Sequence, residues 1–190
     1  MSTGTIEQKI GTFFQSHPGE LGSIVTIAEK IQAGIRAIAP FIEQNTALVC
    51  PDCARVCCSG GHAAYSLEDL VYVHALRLQT VEYEKAEADG PCPFLSTGGC
   101  RLGRDLRPSG CNWYFCGPLY DSMESQPADR YREFDDSLKD LVELWMGLIR
   151  EFAGRYQEVT GEAMLITDLA GTSCRKAGIP EGRREDILPL

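Results

Sequence analysis

Positive charge is scarce in this 190-residue chain. Eighteen Lys and Arg stand against 27 Asp and Glu, for a net charge of −9. So acidic a chain repels phosphate backbones and anionic headgroups, which argues against non-specific binding to nucleic acid or to a membrane surface. Long apolar runs are also missing. The richest stretch, Ile24–Ile42, is interrupted by Glu29, Lys30 and Arg36, so no membrane span is expected. Residues 1–17 hold no basic segment followed by an apolar one, no Gly follows Met1, and no Cys lies near the C-terminus. Neither a secretory leader nor a lipid anchor is therefore expected, and the predicted location is cytoplasmic.

Catalytic signatures are absent as well. There is no G-x-G-x-x-G, P-loop, H-E-x-x-H, G-x-S-x-G or kinase motif. That argues against a conventional redox or phosphoryl-transfer enzyme. No repeat and no low-complexity segment is present.

Cysteine is what the chain has in excess. Nine in 190 is about 5%, short of the roughly 8–10% that marks a secreted disulfide scaffold. In a reducing compartment such cysteines are metal ligands or redox groups more often than disulfides. Eight of the nine fall between Cys50 and Cys116.

The flanking segments read as helices. A short helix is predicted over 5–16, ended by Ser16-His17-Pro18-Gly19. A second begins near Glu20, where Ile24, Ala28, Ile31, Ile35, Ile38 and Ile42 make one apolar stripe. Pro40 is expected to kink it or end it early. A third starts at Ser66, an N-cap with Glu68 and Asp69 in the first turn. Its stripe is Leu67, Val71, His74, Leu78 and Val81, and its stop is Asp89-Gly90 before Pro91. The clearest stripe is Tyr131, Phe134, Leu138, Leu141, Trp145, Leu148 and Phe152. Pro127 suits its first turn and Gly161 its end. These stripes read as the core of a bundle rather than partner-binding faces.

The predicted fold is mainly α, a helical bundle-like single domain over 1–190 that encloses a loop-rich cysteine core. Its parts are N-terminal helices (1–49), a cysteine-cluster core (50–116), a long-helix segment (117–160) and an irregular tail (161–190).

The core has three cysteine groups. The first is Cys50, Cys53, Cys57 and Cys58. The second is Cys92 and Cys100. The third is Cys111 and Cys116. The C-x2-C spacing of Cys50 and Cys53 lets one turn present two sulfurs to one ion. Side chains of the adjacent pair Cys57-Cys58 diverge in most backbone conformations, so two centres or one polynuclear centre would use both. Eight thiolates at four per site make two closed sites, whether zinc or cubane iron–sulfur. Gly98-Gly99 and Gly110 are expected to let backbone approach a centre. Arg101, Arg104 and Arg107 are candidates to offset the negative charge of a bound centre.

The remaining candidates are weaker. His62 makes Cys-x3-His spacing with Cys58 but reads as a loop residue beside eight thiolates. His74 reads as a core histidine, the alternative being a donor to a cysteine sulfur. Cys174, beside Arg175 and Lys176, reads as a bystander thiol. Trp113-Tyr114-Phe115 reads as packing that shields the centre from water.

The order C-x2-C-x3-CC, then CPFL…GGC, then RP-x2-C-x4-C resembles the bacterial YkgJ-type cysteine-cluster family, a zinc- or iron-chelating domain of the CxxCxxCC type. The flagellin lysine N-methylases are similar in the same cysteine pattern. The resemblance covers about Cys50 to Cys116. It implies Cys50, Cys53, Cys57, Cys58, Cys92, Cys100, Cys111 and Cys116 as ligands. One departure is local: the family commonly has Cys-Gly-x-Cys-Cys, whereas Ala54-Arg55-Val56 separates Cys53 from Cys57 here. The expected function is metal binding, zinc or iron, in a structural or interaction role with another protein as partner class. The alternative is an iron–sulfur redox or protein-modifying, methylase-like enzyme. The methyl-donor site itself has no counterpart in the sequence.

Overall fold

The isoleucine stripe becomes the central face of the longest N-terminal helix. The computed structural model describes residues 6–53, 57–58, 64–79 and 90–164. Helix α1 spans Ile6–Ser16, and a 3-10 turn over Pro18–Glu20 leads into α2, Gly22–Val49. Ile24, Ala28, Ile31, Ile35, Ile38 and Ile42 are all buried. Pro40 does not end α2, contrary to expectation. It lies on the exposed side, where water can satisfy the carbonyl that loses its partner. Phe41, Ile42 and Asn45 beyond it are buried, so packing carries the helix through.

Helix α6, Ala128–Thr160, lies antiparallel on α2. Phe41 stacks on Phe134 with ring centroids 4.5 Å apart, Gly34 faces Leu141, and Ser23 donates to Glu151. As expected, α6 runs past Gly154 and stops at Gly161, which takes a left-handed φ of 72°. Helix α1 closes the far end. Phe14 stacks on Phe152, and Phe13 meets Phe152 and Tyr156.

Helix α3, Leu67–Ala75, starts where the sequence indicates. Ser66 and Asp69 form a capping box that satisfies two otherwise orphaned donors. The helix ends much earlier than expected. Arg77 takes a φ of 52°, Leu78 N–H donates to the Val73 carbonyl and Arg77 N–H to that of His74. That is the Schellman termination, with arginine in the position glycine normally holds. Leu78 therefore lies past the helix end, half-buried against the main core. Val81 and the expected stop at Asp89 lie outside the described residues.

The 117–160 segment is two helices rather than one. Helix α5, Gly117–Glu124, is separated from α6 by Ser125-Gln126-Pro127. Pro127 is the N-cap of α6, and residue 126 before it is steered away from helix. The hydroxyl of Ser122 and the amide of Gln126 both donate to buried Asn45 Oδ1, bracing α5 on α2.

The cysteine segment carries short elements of its own. Strands β1, Leu95–Ser96, and β2, Gly99–Cys100, pair antiparallel with Leu95 opposite Cys100. A 3-10 turn, Arg104–Leu106, and the one-turn helix α4, Gly110–Trp113, follow. The main apolar core joins α1, α2, α3, α5 and α6. A second, small cluster is formed by Phe94 and Leu102 with Cys92 and Cys100 against them. Among the described residues no helix is long and apolar enough to cross a membrane.

Candidate metal centre

Each cysteine group is held by a different part of the scaffold. Cys50 is the C-cap of α2, and Cys53 N–H donates back to the Cys50 carbonyl at 3.3 Å. Cys116 is the N-cap of α5. Its carbonyl accepts from Leu119 and Tyr120, while its side chain makes no cap bond. Cys92 N–H donates to the Cys58 carbonyl at 3.2 Å, joining the first group to the second. Cys111 sits in α4, with its N–H on the Pro108 carbonyl at 2.8 Å.

One buried carboxylate positions the third group. Asp69 Oδ2 accepts from Ser66 N–H and Oγ, and Oδ1 accepts from Ser109 N–H at 2.8 Å. Burial raises its pKa from 3.8 to about 6, against the pull of those donors. The sequence marked Asp69 only as a first-turn helix residue. Its second role, holding the loop ahead of Cys111, depends on a partner 40 positions away.

The three arginines divide. Arg104 is buried and donates to the Cys111 carbonyl at 3.1 Å, with its Nε 3.8 Å from the Glu43 carboxylate. Burial, then Arg107, lowers its pKa to about 10. Arg107 donates to the Leu102 carbonyl at 3.0 Å. Both cations act on Cys58. Arg101 is exposed and donates to the Pro93 carbonyl, bracing the hairpin from outside.

The thiols sense one another. The Cys57 thiol donates toward the Cys58 and Cys116 sulfurs, which raises its own pKa. Cys58 is held below the ordinary thiol value, first by that hydrogen bond and then by Arg107 and Arg104. Burial raises Cys50, and the charges of Cys58, Cys116 and Cys53 add to the rise. Burial pushes Cys111 up to about 12, with Cys100, Cys58 and Cys92 adding in turn. Burial likewise raises Cys92, with Cys100 and Cys58 adding.

The cysteine side chains come from three separate stretches of chain, with two cations acting on Cys58. Soft, thiolate-preferring metals fit that chemistry. Among the described residues, however, no three Cys, His, Asp or Glu side chains converge into a formed metal-binding group.

Several sequence expectations change here. Among the described residues, a side chain at Gly98, Gly99 or Gly110 would meet no protein atom within 4 Å. Gly99 is needed for its φ of +101° in the hairpin turn. Trp113 packs edge-on against Trp145, and Phe115 against Tyr120 and Phe134, so both serve the helical core. Tyr114 is the exposed member of the three, and burial followed by the charges of Cys57 and Cys116 raises its pKa. His74 stacks on Phe14 as a core histidine, its pKa lowered by burial. His62, Cys174 and the Ala54-Arg55-Val56 spacer lie outside the described residues.

Comparison of the chain with protein-family models, with curated proteins and with solved structures finds no match.

Proposed function

We propose that this chain is a metal-binding protein in which Cys50, Cys53, Cys57, Cys58, Cys92, Cys100, Cys111 and Cys116 hold zinc or iron in two centres, in a structural or interaction role toward another protein. The observation that carries this reading is that cysteine groups far apart in sequence are joined in the fold: Cys92 N–H donates to the Cys58 carbonyl at 3.2 Å, and Cys92 and Cys100 pack on one small cluster. The resemblance of the cysteine order to the YkgJ-type family supports it. Zinc would cross-link the segment, whereas iron with sulfide would supply redox chemistry. Arg104 and Arg107 would offset part of the charge of the thiolates.

The test is metal content and visible absorption of protein purified without oxygen from cells grown without added zinc. About two zinc per chain and no colour would support two closed four-thiolate sites. Iron with matching acid-labile sulfide would support clusters and turn attention to the redox or methylase-like alternative. Cys57→Ser or Cys58→Ser should release metal, and Cys174→Ser should not. Protein free of zinc, iron and sulfide, and unable to take up either metal on reconstitution, would overturn the reading.

A further inference from the structure

The stretch 92–111 and the helical frame have separate apolar clusters. Among the described residues, none from 92–111 belongs to the main core. Within the stretch, Phe94 and Leu102 are buried together, with Cys92 and Cys100 against them. Several of its hydrogen bonds are internal as well. The β1–β2 hairpin closes on itself, and Arg101 N–H donates to the Phe94 carbonyl at 2.8 Å. Arg107 donates to the Leu102 carbonyl and Arg104 to that of Cys111.

A polar seam joins this stretch to α2 and α3. Arg36 on α2 donates through Nε and Nη2 to Asp105 Oδ2, at 3.0 and 2.7 Å. Glu43, two turns further along α2, lies 3.8 Å from Arg104 Nε. The charges therefore alternate, Arg36 and Glu43 on α2 facing Asp105 and Arg104. The Tyr65 hydroxyl, just ahead of α3, donates to the Leu106 carbonyl, and Asp69 accepts from Ser109 N–H. Directly after the stretch the chain re-enters the core, where Trp113 meets Trp145 edge-on and Phe115 packs on Phe134.

Opening a polar seam costs less than opening an apolar core. Water replaces the hydrogen bonds that are lost, and a partly exposed ion pair regains its hydration. Parting α2 from α6 would instead bring Ile31, Ile35, Leu141 and Leu148 into water. Such a difference divides a structure into cooperative units of unequal stability. We propose that residues 92–111 form a strap that undocks as a unit along this seam, hinged at the Trp113 anchor, while the helical frame stays folded. Undocking bares Cys92, Cys100 and Cys111, each half-buried in the docked state, together with the buried Arg104. The seam thus governs access to one side of the cysteine cluster. Salt loosens it by screening the Arg36–Asp105 pair.

Native-state hydrogen exchange on the full chain as purified, read by NMR, tests the strap. The Ser109 amide spans strap and frame, and buried amides of α2 and α6 report the frame alone. Ser109 should exchange well ahead of the frame amides. Arg36→Gln and Asp105→Asn should each speed its exchange about two- to fivefold, and the double variant no further, because either change breaks the same pair. The frame amides should keep their rates in all three. High salt should reproduce the gain in the unmodified chain and add little in the variants. Exchange of Ser109 in step with the frame amides would make the two parts one cooperative unit and overturn the proposal. A Ser109 rate indifferent to salt and to both substitutions would overturn it too, as would variants that speed strap and frame alike.

Discussion

Asp69 Oδ1 accepts a hydrogen bond from Ser109 N–H at 2.8 Å, across 40 residues of sequence, in a place where the carboxylate is almost fully buried. The other oxygen completes the cap of α3. One side chain therefore couples the start of a core helix to the loop that delivers Cys111.

Asp69→Asn removes one of the two acceptor oxygens and leaves a buried N–H facing an amide. The expected loss is about 1–3 kcal/mol of unfolding free energy, read from urea denaturation. The pH dependence has a definite sign. The folded pKa of about 6 lies above the ordinary 3.8, so the native state binds more protons than the unfolded state between them. This carboxylate's contribution to stability is thus full below about 4 and falls as pH rises through about 6. The wild-type minus Asp69→Asn difference in urea midpoint should follow that fall. A difference that grows from pH 4 to pH 7 would contradict the assignment.

Arg77 holds a left-handed backbone at the end of α3, a conformation that costs a residue with a Cβ about 1 kcal/mol. Arg77→Gly should stabilise the protein by up to about 1 kcal/mol, because glycine adopts that φ without strain. A rise in the thermal midpoint is the expected readout. Destabilisation would show that the arginine side chain matters more than its backbone.

Gly34 on α2 faces Leu141 on α6. A Cβ built there would lie 3.1 Å from Leu141 Cδ1, and Leu141 is itself fully packed. Gly34→Val should force the two helices apart and cost about 1–3 kcal/mol. Gly147 and Gly154 on α6 have open space around the Cβ position, so alanine at either should raise helix stability instead. Equal effects at all three positions would argue against the α2–α6 contact.

Cys58 is exposed and acidic for a thiol, with Cys57 donating to it and Arg107 and Arg104 beside it. In metal-free, reduced protein near neutral pH it should be alkylated first among the eight clustered cysteines, as mass spectrometry can follow. Arg107→Gln should slow that reaction several-fold and move its pH midpoint upward. Preferential labelling of Cys111, which burial pushes up to about 12, would contradict the electrostatics.

Much of the scaffold is visible in the residues themselves. The Ile24–Ile42 and Tyr131–Phe152 stripes become the buried faces of α2 and α6, because apolar side chains at helical spacing have only one way to leave water together. Ser66 and Gly161 act as the helix boundaries they resemble, since caps are local hydrogen-bond chemistry. The early end of α3 was hidden, because arginine carries no sign of a left-handed φ that its surroundings impose. Pro40 misled in the opposite direction, since its local penalty is smaller than the burial of Phe41 and Ile42 beyond it.

The sequence alone determined the chemistry of the cluster, eight thiols in three groups, because it is a property of the side chains themselves. It also determined the helical frame, because periodicity is local. Only the tertiary structure decided that Trp113 and Phe115 belong to the helical core, that Arg104 is buried on the Cys111 carbonyl, and that Cys92 N–H meets the Cys58 carbonyl. Those are relations between segments distant in the chain, and they exist only once the α2–α6 packing has brought the segments to one place.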